Sequence, residues 1–286
     1  VAMKVMCAGF SSSVFARNEL AFLRRIKEAN PGHPGYCHVL TLLSNFSIPT
    51  VLGRHSCLVT PLLAQPLSMV MAHSLPLSWK KKAIREILLG LVYLHDECGI
   101  IHTDLSGNNI LVQIPDMIKI SDIALTKEGW IELSIAEEPP TVAFPVQSVH
   151  GFCNCILTLE GTASWKEGVH TEMVQSNATR APEVRLGGPW NSLVDEWSLG
   201  HVVYELVTGS HLIQPPSMPG QAFDDDYCLA YIRVLLGDYS KEFLQECRRA
   251  DTFFHEQGAP QTSPSRMGLK HPVLICYQET LFMTRW

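Results

Sequence analysis

One twelve-residue stretch constrains this chain more than any other: Ile100-Ile101-His102-Thr103-Asp104-Leu105-Ser106-Gly107-Asn108-Asn109-Ile110-Leu111. Asp104 and Asn109 stand five apart between apolar, strand-like flanks. That spacing predicts a tight loop turning two oxygen-bearing side chains into one cleft. A carboxylate so placed can accept the proton of a hydroxyl, and an amide oxygen can hold Mg²⁺ against the phosphates of a nucleotide. The loop follows a predicted helix with Ile84, Ile87, Leu88 and Leu91 at i, i+3, i+4 and i+7. Ser78 is its expected N-cap and Gly99 its stop.

The surrounding periodicity divides the chain. Residues 1–7 alternate and predict a strand. Residues 17–29 predict a helix with Leu20, Leu23 and Ile26 on one side, ended by Pro31-Gly32-His33-Pro34-Gly35. Two short strands are expected over residues 38–43 and 55–60. Beyond them the pattern turns helical, with further helices predicted over residues 192–208 and 225–236. Pro139, Pro140 and Pro145 mark residues 137–149 as a loop or insertion, and the residues after Gly258 carry no clear period.

Composition narrows the functional classes. The chain has 286 residues, 46% of them hydrophobic, enough for a sizeable core. A net charge of −6 argues against a reader of nucleic-acid backbones. The nine cysteines show no paired spacing, which predicts reduced thiols in an intracellular protein. No apolar run reaches the roughly 20 residues of a membrane helix. The opening Val1-Ala2-Met3-Lys4-Val5 reads as the middle of a strand, not as a signal peptide, so the chain is expected to begin inside a domain.

The loop at 102–109 resembles the catalytic loop of eukaryotic protein kinases, His-Arg-Asp with Asn five residues on. Small-molecule phosphotransferases share a similar loop, but two further segments favour the protein kinases. Arg180-Ala181-Pro182-Glu183 resembles the end of the kinase activation segment. Asp195-Glu196-Trp197-Ser198-Leu199-Gly200, with Asp195 twelve residues after Glu183, resembles the start of the long buried kinase helix. Thr103 in place of Arg, Glu97-Cys98-Gly99, Leu186-Gly187-Gly188-Pro189-Trp190 and Asn30-Pro31-Gly32-His33-Pro34-Gly35 resemble the SR-protein kinase branch and its fungal relatives. The resemblance implies an α+β, bilobal protein-kinase-like fold. It would have an incomplete N-terminal β lobe (1–63), a mainly helical C-terminal lobe (64–258) with an insertion at about 113–152, and a divergent tail (259–286). It implies ATP and Mg²⁺ as cofactors, a Ser/Thr protein substrate, often Arg/Ser-rich, and a monomer in the cytoplasm or nucleus without nucleic-acid or membrane partners. By the same resemblance Asp104 is the base and Asn109 a Mg²⁺ ligand. Lys4 and Glu19 form the phosphate clamp, Thr60, Leu62 and Leu111 line the nucleotide site, and Asp195 braces the catalytic loop. Asp224-Asp225-Asp226 could attract a basic peptide, but an exposed acidic turn is the plainer reading.

The pattern also breaks. A glycine-rich loop, expected before Val1, is absent from the sequence. Ser106 replaces the Lys that supports the moving phosphoryl group. With Thr103 for Arg, activation by a phosphate on the activation segment is not expected. The Mg²⁺-binding carboxylate has two candidates. Asp122 lies thirteen residues after Asn109 but 59 before Ala181. Alternatively Leu157-Thr158-Leu159-Glu160-Gly161 is the corresponding segment; Leu159 then sits where the Asp belongs and Glu160 is the nearest carboxylate. The second alignment is preferred. The Arg that would pair with Glu183 is not found in the tail. These departures set a pseudokinase scaffold beside the enzyme as the alternative.

Overall fold

The first apolar stretch forms strand β1 (Ala2–Val5), followed by a helical turn α1 (Ala8–Ser11) and helix α2 (Val14–Glu28). Strands β2 (Ser44–Thr50) and β3 (Gly53–Thr60) complete an antiparallel sheet of order β1-β3-β2. The computed structural model describes residues 1–11, 13–71, 75–113, 154–159, 162–214 and 223–255. They cluster into two units, one of residues 1–166 with 206–209, the other of the remainder. Helix α2 starts where Ser13 Oγ accepts from Ala16 N at 3.1 Å. Its Ala16, Leu20 and Leu23 pack with Met6, Leu42 and Leu58, joining helix and sheet in one core.

The strand expected over residues 38–43 is not in that sheet. Tyr36–His38 is a 3₁₀ turn, and Val39 makes only an isolated bridge to Leu157. Val39 and Leu42 are buried, so their apolar character serves the core and not a pleated ladder. The sheet instead recruits β2, every residue of which is exposed. It forms a hairpin arm closed by a turn at Val51–Leu52, and Pro49, lacking an N–H, suits an edge strand.

The rest of the first unit frames the loop at 102–109. Strand β4 (Leu63–Pro66) leads into α3 (Leu67–Met71) and α4 (Leu77–Val92). Helix α4 begins one residue before Ser78. Pro76 holds the cap position at φ −59° and ψ 145°, and its carbonyl accepts from Lys80 N at 3.1 Å. The ring fixes the extended entry that Ser78 was expected to cap. The helix widens into a π-helical turn, Tyr93–Cys98, ended by Gly99 in the left-handed region at φ 67°. Tyr93 is fully buried and its hydroxyl donates to Ile26 O at 2.6 Å. Arg25 donates to the carbonyls of Cys98 and Glu97, and Asn30 to the Glu97 carboxylate. These bonds fasten α2 to the turn immediately before the loop.

Strands β5 (Ile100–Ile101) and β6 (Ile110–Gln113) bracket the loop. Strand β7 (Cys155–Leu157) pairs with β6 in the sheet β4-β6-β7, and β8 (Ser164–Trp165) pairs with β5. Buried Glu86 on α4 accepts from Cys155 N at 2.9 Å, which satisfies the first donor of β7.

The second unit is helical. It contains α5 (Pro182–Arg185), most of α6 (Leu193–Thr208), α7 (Asp225–Leu236), α8 (Lys241–Glu246) and α9 (Ala250–Phe253). Asp224 and Ser240 cap α7 and α8 through Tyr227 N and Phe243 N. Leu186, Leu229, Leu244, Cys247 and Phe253 form one core cluster. Among the described residues the largest fully buried side chain is Arg185, which donates to Arg180 O, to Asn177 and to Asp225 Oδ1 at 2.8 Å. Arg249 takes the other Asp225 oxygen at 3.0 Å. Asp225 is therefore engaged within the fold, and Asp224 is a helix cap; only Asp226 of the three lacks such a role. Among the described residues seven cysteines are free thiols, and no helix is long and apolar enough to cross a membrane.

Candidate phosphotransfer site

Asp104 and Asn109 meet. Asn109 Nδ2 donates to Asp104 Oδ2 at 2.9 Å and to the Asp104 carbonyl at 2.8 Å. Both donors of the amide are thereby used inside the loop, which leaves Asn109 Oδ1 as an acceptor. The loop that brings them together is tightly specified. Thr103 sits at φ 64°, a rare conformation for a β-branched residue. It is fully buried and donates from Oγ1 to Thr162 O at 2.7 Å, so its surroundings hold the strained backbone in place. Asp104 N donates to His102 Nδ1, and Asn109 N to Ser106 O. At Gly107 a Cβ would lie 2.7 Å from Met71 Cε and 3.2 Å from Ser68 N. Glycine there lets α3 close on the loop, where Ser68 N donates to Gly107 O and Ser68 Oγ to Asn108 Oδ1.

A second pair forms on the β1-β3-β2 sheet side. Lys4 Nζ and Glu19 Oε1 are 2.7 Å apart. The Glu19 side chain is 6% exposed and that of Lys4 53%, so the carboxylate anchors the pair while the ammonium stays open to a ligand. No hydrogen bond or ion pair among the described residues joins this pair to Asp104 or Asn109. Thr60 closes β3 opposite Ala2, and Leu62 follows it, partly exposed. Leu111 on β6 pairs with Ile156 on β7 and Pro66 on β4.

The segment after β7 lies against the catalytic loop. Thr158 donates from both N and Oγ1 to Asn109 O, at 2.9 and 3.0 Å. Leu159 follows, 5% exposed. Leu159 is thus a buried apolar residue one position beyond the one that bonds the Asn109 carbonyl. Asp122 and Glu160, the two carboxylates expected for that task, lie outside the described residues. Among the described residues no cluster of three or more metal-ligating side chains is present, and no cation pairs with Asp104. Asn109 Oδ1 and Asp104 suit a hard cation, but the described donor set is one carboxylate short of the usual kinase arrangement.

In the second unit Ala181 enters α5 in extended conformation, with Pro182 in the first turn. Gln175 organises this approach. At φ 66° it donates to Val194 O and Ser198 Oγ at 2.8 Å and accepts from Ala181 N at 2.9 Å. Neither Gln175 nor Arg185 stands out in the sequence, because each bonds several partners, among them Val194, Ser198 and Asp225, that only the fold brings near. Burial pushes the Glu183 carboxyl upward, and among the described residues it has no ion-pair partner. Asp195 is fully buried in the first turn of α6.

The protein kinase domain family matches residues 1–134. The serine/threonine-protein kinase SRPK of Physarum polycephalum is 30% identical over 90% of this chain and 65% of its own length. Protein kinase dsk1 of Schizosaccharomyces pombe is 24% identical over the same shares. SRSF protein kinase 3 of Mus musculus is 33% identical over 41% of this chain and 21% of its own length. The fold is α+β, with a small sheet lobe and a helical lobe, as in the protein kinases that the chain resembles. The relatives it is similar to lie in the SR-protein kinase-like branch. It spans 60 to 65% of the length of the first relatives it matches.

Proposed function

We propose that this chain is a serine/threonine protein kinase domain that transfers the γ-phosphate of ATP to a protein hydroxyl at a reduced rate. The observation that carries the reading is the bond between Asp104 Oδ2 and Asn109 Nδ2 at 2.9 Å, accompanied in the same unit by a formed Lys4–Glu19 pair. Asp104 accepts the substrate hydroxyl proton. The exposed Lys4 ammonium, oriented by Glu19, binds the α- and β-phosphates, and Thr60, Leu62 and Leu111 contact the base. Mg²⁺, when bound, neutralises charge on the phosphate oxygens, and Asn109 Oδ1 would hold it. The reduction follows from Ser106, where the missing ammonium costs roughly 10²–10³-fold in rate, and from Leu159. Arg/Ser-rich proteins are the substrate class by analogy with the SR-protein kinase relatives, and the domain acts as a monomer.

A pseudokinase that binds nucleotide or protein without turnover is the second reading, favoured by the buried, apolar Leu159 where the preferred alignment calls for a carboxylate. Radiolabelled phosphate transfer to an Arg/Ser-repeat peptide separates the two. Transfer above background that falls at least about 10²-fold in Asp104→Asn supports the enzyme. A folded protein with no transfer, or transfer that Asp104→Asn leaves intact, rejects it.

A further inference from the structure

Strands β5 and β8 run antiparallel, with Ile100 opposite Trp165 and Ile101 opposite Ser164. One residue further back the ladder is still closed, because Lys166 N donates to Gly99 O at 2.8 Å. In an antiparallel ladder every second opposed pair is hydrogen-bonded. Gly99 and Lys166 form such a pair, so the register assigns the next two to Ile101 with Ser164 and to Thr103 with Thr162. The Thr103–Thr162 bond is present, but a side chain makes it. Thr103 Oγ1 donates to Thr162 O at 2.7 Å. The backbone has by then left the extended conformation, since Thr103 stands at φ 64°. All of these residues belong to the first unit.

A left-handed conformation is strained for a β-branched residue, and glycine or asparagine would take it more easily. Glycine, however, has no hydroxyl to offer. Threonine keeps a rung on Thr162 while its backbone turns, and the residue that the turn delivers is Asp104. Beyond the turn Asp104 is held twice, its N bonded to His102 Nδ1 and its carboxylate to Asn109 Nδ2. Strain of this kind persists where surrounding contacts over-determine the backbone. Thr103 is fully buried, and the rung on Thr162 is one of those contacts. We propose that Thr103 is a positioning residue for phosphoryl transfer. Its hydroxyl ties residues 162–166 to the loop and, through the left-handed turn, sets the direction of the Asp104 carboxylate. The proposal rests on the reading of Asp104 as the base.

Thr103→Ser, Thr103→Val and Thr103→Gly test it in the full 286-residue chain. Serine keeps the donor, and valine keeps the shape without it. Glycine loses the donor but relieves the strain, which supplies a folded variant without the hydroxyl if valine does not fold. Phosphate transfer to an Arg/Ser-repeat peptide should stay within about threefold of the parent in Thr103→Ser. In the other two kcat should fall about tenfold, the loss expected for one hydrogen bond, with KM for ATP within about twofold of the parent. The side-chain amide signals of Asn109 in ¹⁵N NMR spectra report the Asp104–Asn109 bond without turnover. They should shift in the valine and glycine variants and hold in the serine variant. A Thr103 that only stabilises the fold would lower the thermal midpoint of those two variants and leave kcat and the Asn109 signals at parent values. That outcome overturns the proposal, as does a serine variant as impaired as the glycine one. A parent that transfers no phosphate rejects the reading of Asp104 as the base, and the NMR comparison alone then decides whether Thr103 positions Asp104.

Discussion

Asn109 spends both amide hydrogens on Asp104, one on its carboxylate and one on its carbonyl. The side chain is thus fixed before any ligand arrives, with Oδ1 the atom left to present outward. The same economy explains why this pair was legible in the sequence: its two members are five residues apart, and one loop can bring them together. Lys4 and Glu19 were legible for a similar reason, a strand followed by a capped helix. Gln175, Thr158 and Arg185 were not. Their partners lie up to 49 residues away, as between Thr158 and Asn109, or 40, as between Arg185 and Asp225, and only the fold reveals them. Leu159 is the residue on which the rate should turn. Placing a carboxylate there supplies the oxygen donor the described site lacks. Leu159→Asp should raise Mg²⁺-dependent phosphate transfer at least about tenfold and enlarge the thermal shift produced by ATP with Mg²⁺. Without metal it should lower stability by about 2 kcal/mol, because a buried carboxylate is left unpaired. A variant that shows the loss without the gain would move the metal-binding role away from this segment.

Elements were read most faithfully where a helical stripe ran long. The helices expected over 17–29, 192–208 and 225–236 correspond to α2, α6 and α7. Apolar short segments misled. Residues 38–43 are buried by tertiary packing and bridge to Leu157 at a single point, whereas the exposed β2 earns its strand from a two-residue turn and pairing with β3. Ser78 was credited with a cap that Pro76 provides through its fixed φ. Strands β6 and β7 carry a consequence for the residues between them. Val112 faces Cys155, and Gln113 N donates to Asn154 O at 2.9 Å, so the two strands form a hairpin whose ladder is already closed at its open end. Replacing residues 114–153 by Asn-Gly, which favours the tight turn such a ladder needs, should leave a cooperative thermal transition and the Asp104–Asn109 site intact. Phosphate transfer and ATP-induced stabilisation within about twofold of the parent are expected, since loop length changes closure entropy only weakly. Loss of the transition would mean that the excised residues belong to the core. Loss of activity alone would point to Asp122, which the excision removes, as the metal ligand.

At the scale of the whole molecule, acid stability should report on His201. Its folded value is near 4 against an ordinary 6.5, because burial disfavours the cation and Arg185 and His211 repel it. Between those values the unfolded chain carries a proton that the native state refuses. Unfolding therefore takes up a proton, and stability falls as the pH drops from about 6.5 to about 4. The difference of two to three units corresponds to about 3 kcal/mol, a large share of the margin of an ordinary domain. Glu183 and Asp226 act in the opposite sense. Their carboxyls are raised, so the native state binds protons more readily than the unfolded chain and gains stability on acidification. The net profile is a contest between these groups, which is why the comparison must be made against His201→Leu. Urea unfolding at pH 7 and pH 4.5 should show the parent losing about 2–3 kcal/mol more than the variant over that interval. The two chains losing stability in parallel would mean that His201 takes up its proton in the native state as readily as in the unfolded chain.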